Sequence, residues 1–65
     1  MSFKPMFKFA DGSTAGNNQR FATEIEAKSS AYVRFLNWTM PIEWFVETSN
    51  DAVNYKHVEG IDSHV

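Results

Sequence analysis

The sequence predicts a small α+β domain, an antiparallel sheet of three to four strands with one helix packed on one face, in the order β-(β)-α-β-β. Three observations carry that expectation. Residues 3–10 alternate in polarity, with Phe3, Phe7 and Phe9 against Met6, Lys8 and Ala10. Residues 24–38 form the only stretch with helical periodicity, between a capping sequence and Pro41. Two further alternating runs, residues 42–49 and 53–60, flank the turn-forming Ser49-Asn50-Asp51.

In chain order, the first strand carries Pro5 near its beginning, where a missing N–H does least harm. Asp11-Gly12 signals a turn, and the polar tract to Asn18 reads as a loop. Residues 19–22 are the optional short strand, returning against the first. Thr23 and Glu26 form T-x-x-E, a capping box in which each side chain satisfies a backbone N–H of the other's residue. Stepping ~100° per residue along the helix gathers Ile25, Ser29, Tyr32, Val33, Phe35 and Leu36 on one broad face, the expected core stripe. Trp38 falls off that stripe. Pro41 ends the helix, because the residue before a proline is driven out of the α region. In the following run Ile42, Trp44 and Val46 oppose Glu43, Phe45 and Glu47. Pairing Val46 with Tyr55 and Trp44 with His57 gives a hairpin whose inner face meets the helix. Residues 1–60 then make one domain, and residues 61–65 a flexible tail.

With 65 residues and no cysteine, the chain has neither disulfides nor thiolate metal sites to support a small core. Ten aromatic side chains compensate, six of them Phe, and they exceed what a monomer of this size readily hides. Charge is uneven: residues 1–42 carry a net +2, and residues 43–65, with Glu43, Glu47, Asp51, Glu59 and Asp62 against Lys56, a net −4. No basic cluster exists, so nucleic-acid binding is not expected. No apolar run follows the first lysine and none reaches membrane-spanning length, so a soluble, cytoplasmic protein is the expectation.

The glycine-rich stretch from Asp11 to Asn18 invites a phosphate-loop reading. A Walker loop needs G-x-x-x-x-G-K-[ST], since the lysine and hydroxyl hold phosphate and magnesium; here Gly12 and Gly16 are spaced G-x-x-x-G and Asn17 follows. Glu24 and Glu26 at the positive end of the helix further disfavour an anion. His57 and His64 lack the company of a metal-ligand pattern. Glu43 and Glu47, though paired carboxylates, read as a solvated face near Lys56. Neither a catalytic site nor a cofactor or metal site is expected.

Trp38 and Phe45 are the informative anomalies, one off the helix stripe and one on the outer hairpin face. Either they mark a recognition surface or another layer covers them. With Glu43, Glu47 and Lys56 they form the candidate partner-binding set. The function expected is non-catalytic binding of a protein partner, self-association, or both. The alternative is a single-strand nucleic-acid module stacking bases on Phe7, Phe9 or Phe45.

"RFATEIEA", the W-x-x-P of Trp38 to Pro41, and "VETSNDAVNYKHVEG" together resemble a group of small open reading frames of tailed bacteriophages, over roughly residues 18–60. Ser29 and Ser30 depart from that pattern, as does Ala52. The resemblance implies no activity or functional residue. It implies a context, an accessory gene product acting by binding in the host cytoplasm.

Overall fold

The alternating N-terminal residues form β1 (Ser2–Phe9), the strand around which the other elements assemble in the computed structural model, which describes all 65 residues. Then follow β2 (Thr14–Gly16), α1 (Glu24–Leu36), β3 (Pro41–Ser49), β4 (Tyr55–Val58) and β5 (Ile61–His64). The fold is α+β, with one helix on a small antiparallel sheet. Strand order is β2-β1-β3 in one ladder and β4-β5 in another. Phe21 joins the two by bridging antiparallel to Phe3 and parallel to Tyr55.

β1 and β3 pair along their whole length, Lys4 opposite Glu47, Met6 opposite Phe45 and Phe7 opposite Trp44. The register slips beyond Lys8 and leaves Ile42 unopposed. Pro5 lies within this central strand rather than at its free start. The N–H of Phe3 donates to Phe21 and that of Phe9 to Ser13, so odd-numbered N–H groups of β1 point away from β3. At Pro5 that direction meets the gap between Phe21 and the β2 ladder, which begins at Met6. No hydrogen bond is lost there.

Residues 19–22 form no strand of their own. Phe21 alone bridges, and it is fully buried. Arg20 anchors it: the Arg20 carbonyl accepts from the N–H groups of Asn54 and Tyr55, and its Nε donates to Asp51 at 2.9 Å.

The hairpin expected between β3 and β4 does not form. β3 takes β1 as its only neighbour, and β4 turns back onto β5, with His57 opposite Asp62. The expected tail is therefore a strand. Its turn is Glu59-Gly60, both at positive φ (51° and 83°), the twist a two-residue hairpin requires.

The helix begins at the expected Thr23 cap, whose Oγ1 accepts from the Glu26 N–H at 3.2 Å. The reciprocal half of the capping box is rerouted: the Glu26 carboxylate accepts from the Thr23 hydroxyl and from the backbone N–H of His57. It thereby ties the helix start to β4. The helix stops at Leu36, short of Trp38.

The larger correction concerns which face packs. Ala27 and Ala31 are fully buried with Ser30 beside them, whereas Ile25 is 76% exposed, Leu36 64% and Tyr32 50%. The centre of the stripe expected in the core points outward, while Ser29, Val33 and Phe35 on its flanks are half-buried. The sheet already supplies bulk in Phe7, Phe21 and Pro5. Small residues on the facing helix let the backbones approach and fill the layer at native density.

Candidate functional site

Two features dominate the surface around α1 and β3. Along the helix, Ile25, Tyr32 and Leu36 form an outward apolar line, and Met40 before β3 and Ile42 within it are exposed too. The Tyr32 ring packs edge-on against Trp44, centroids 6.0 Å apart, so this line reaches the margin of the sheet. Several large apolar side chains exposed on one helix face mark interaction sites more often than residues exposed singly do.

The second feature is the free edge of β3. Its only partner is β1, and no other backbone hydrogen bond involves residues 41–49. Because Phe3 and Phe9 direct their N–H groups away from β3, those of Lys4, Met6 and Lys8 face it and engage Glu47, Phe45 and Glu43. By the same alternation the N–H and C=O groups of Trp44, Val46 and Thr48 point out from the edge. Their side chains face the helix layer, while Glu43, Phe45 and Glu47 share the opposite face.

The residues singled out from the sequence are thus divided. Glu43, Phe45 and Glu47 do share one face, the one without a helix. Phe45 is half-buried, opposite Met6, and Lys4 approaches Glu47 at 3.8 Å. Lys56 is not with them: β1 and the Phe21 segment separate β4 from β3. Trp38 is no free aromatic either, since its ring packs edge-on against Phe7 and Phe9 at 5.3 and 5.5 Å. Of the three aromatics named for base stacking, Phe7 is buried and Phe9 packs against Trp38, while Phe45 stays half-buried on the open sheet face.

Sequence reasoning missed the polar cluster that seats the β4–β5 hairpin on the helix. The Asp62 carboxylate accepts from His57 Nδ1 (2.6 Å), Ser30 Oγ (2.7 Å) and Gln19 Nε2 (3.1 Å). Arg34 lies 3.9 Å away and donates to Gln19 Oε1. Burial by itself raises the Asp62 carboxyl; the hydrogen bonds from His57, Ser30 and Gln19, with the His57 charge, outweigh it and hold the group below the ordinary aspartate range. The constellation holds a Ser, a His and an Asp, yet both Ser30 and His57 spend their bonds on the carboxylate and not on each other. A nucleophilic serine needs the imidazole as its base, so this cluster acts as a clamp. His64 bonds Tyr55 instead. No three His, Cys, Asp or Glu side chains converge as a metal site would require.

The glycine-rich loop is turn chemistry. Asp11 Oδ1 accepts from the Ser13 N–H and hydroxyl at 2.9 and 2.6 Å, which holds its carboxyl below the usual range, and Gly12 takes positive φ. Nearby, Phe7, Ala15, Gly16, Asn17, Arg34 and Trp38 line a cavity of about 190 Å³, below the 300–1,000 Å³ typical of small-molecule sites. No helix is long and apolar enough to cross a membrane. No protein-family model matches the chain, and neither a curated protein nor a solved structure shows significant similarity to it.

Proposed function

We propose that this chain is a non-catalytic, phage-type accessory protein that works in the cytoplasm by binding a protein partner. One observation carries the reading: the helix turns its small residues to the sheet and three of its large apolar ones, Ile25, Tyr32 and Leu36, to solvent. A chain this small has little apolar surface to spare for stability, so leaving such side chains uncovered is best accounted for by a surface that a partner covers. Ser30 and His57 both bond the Asp62 carboxylate and the cavity by Trp38 is small, which supports binding over chemistry.

The test is a comparison of the wild type with an Ile25→Lys/Leu36→Lys variant as bait in a host lysate, with recovered proteins identified by mass. Both positions are exposed, so the variant should melt close to the wild type. The reading expects an identified protein held by the wild type and lost from the variant. Equal recovery by both, or recovery of nothing specific, overturns it.

A further inference from the structure

We infer that the free edge of β3 accepts an extended, lysine- or arginine-bearing segment of a partner protein as an added strand. The inference rests on the protein-binding reading above and names the chemistry of its partner. The outward N–H and C=O groups of Trp44, Val46 and Thr48 are unpaired and regularly spaced, and nine residues make β3 the longest strand. Such an edge is a template for strand addition unless something blunts it. Here Pro41 and the bulge at Ile42 affect only its first two positions, and no helix or loop bonds to its backbone.

What the added strand must carry follows from the two faces of β3. On the helix side it meets Trp44 and Val46, walled by Tyr32 against Trp44, and this calls for apolar residues. On the other side it lies beside Glu43 and Glu47, and this calls for cations two residues to either side of a position opposite Phe45. β1 shows the solution from inside the fold: it sets Lys4 opposite Glu47 and Lys8 opposite Glu43, with Phe7 and Pro5 on the helix side. The incoming segment repeats that pattern on the other edge.

The same charges argue against a second copy of this chain in the register of fullest overlap. Antiparallel β3–β3 pairing centred on Phe45 sets Glu43 of each copy opposite Glu47 of the other. Like charges directly across a ladder are destabilising.

The experiment titrates the full chain with a fluorescently labelled nine-residue peptide of alternating lysine and valine. Controls are a peptide of alternating glutamate and valine, and a lysine–valine peptide N-methylated on alternate residues so that it cannot complete the ladder. Amide spectra of the labelled protein follow the site. The proposal expects saturable binding of the basic peptide, with shifted and exchange-protected amides at Trp44, Val46 and Thr48. It expects no binding of the acidic or N-methylated peptides. Glu43→Gln/Glu47→Gln should weaken binding about tenfold, from the loss of two cross-strand charge pairs.

Val46→Pro removes an outward N–H while leaving the β1 ladder untouched, and it should abolish binding. The N-methylated peptide makes the same test without altering the protein. Equal binding of the N-methylated peptide, or shifts confined to Ile25 and Leu36, overturns strand addition while leaving the protein-binding reading intact. Absence of any binding by the basic peptide also overturns it. Antiparallel self-association through β3, detected by sedimentation, would do the same.

Discussion

Replacing Asp62 by alanine removes the acceptor on which three elements converge: His57 from β4, Ser30 from α1 and Gln19 from the segment before Phe21. A hydrogen bond to a charged group contributes roughly 1.5–3 kcal/mol, and a buried donor left unpaired costs about 1–3 kcal/mol. Asp62 keeps a side-chain exposure of 20%, so water replaces part of what is lost. An overall loss of about 3 kcal/mol is therefore expected, well short of the sum of three such bonds. A domain of this length holds only about 3–10 kcal/mol in all. Because 1 kcal/mol shifts the melting temperature of so small a domain by roughly 4–8 °C, Asp62→Ala should melt about 12–24 °C below the wild type.

Asp62→Asn, which keeps the shape and one acceptor oxygen, should lose about half as much. It also isolates the pH dependence. The folded carboxyl titrates below its unfolded value of roughly 3.9. Its contribution is therefore complete above that value and is lost as pH falls through the folded one. The gap between wild type and Asp62→Asn should close on acidification below about pH 4. Calorimetric or circular-dichroism melts from pH 3 to 7 make the measurement. An Asp62→Ala variant melting within about 3 °C of wild type, or a gap that widens in acid, would refute the clamp.

Further expectations concern packing and turns. Trp38→Ala should cost about 2–3 kcal/mol by urea unfolding, since it removes the edge contacts on Phe7 and Phe9 from a partly exposed site. An unchanged midpoint would show that Trp38 is not packed there. Gly60→Ala, at a φ of 83°, should destabilise by about 1 kcal/mol, and Gly60→Asn, which tolerates the left-handed region, by less. At Gly16 an added Cβ meets Met6 Sδ at 2.6 Å and the Pro5 carbonyl at 3.3 Å. Gly16→Ala should cost about 1 kcal/mol alone and less in a Met6→Ala background, a non-additivity read by a double-mutant cycle.

The parts of this fold legible in the sequence are those with a local cause. The alternation of residues 3–9 and 42–48, the Thr23 cap and the stop before Pro41 all lie within a few residues of their effects. The same alternation correctly set Glu43, Phe45 and Glu47 on one face. Alternation does not say which strand pairs with which, however. β3 found β1 across more than thirty residues of chain, and Lys56 went with a different ladder. The β4–β5 hairpin was hidden because its turn is Glu59-Gly60 rather than Asn-Gly, and because Asp62 is its main anchor, a carboxylate where periodicity looks for an apolar residue.

The helix misled for a plainer reason. Large apolar residues dominate any hydrophobic stripe, yet the helix positions fully buried against the rest of the fold are small ones. Ala27, Ser30 and Ala31 took the inner face because they are small. That inversion creates the surface on which the proposed function depends, and sequence periodicity by itself pointed the other way.

The helix orientation is accordingly the claim to test first. Urea unfolding of Ala31→Leu and Leu36→Gln does so with one residue from each face. With Ala31 inward, adding a branched side chain there should overpack the layer and cost about 1–3 kcal/mol. With Leu36 outward, glutamine should leave stability within about 0.5 kcal/mol. The reverse ranking, a tolerated Ala31→Leu and a loss of several kcal/mol at Leu36→Gln, would mean that the apolar stripe is the core and that no such binding surface exists.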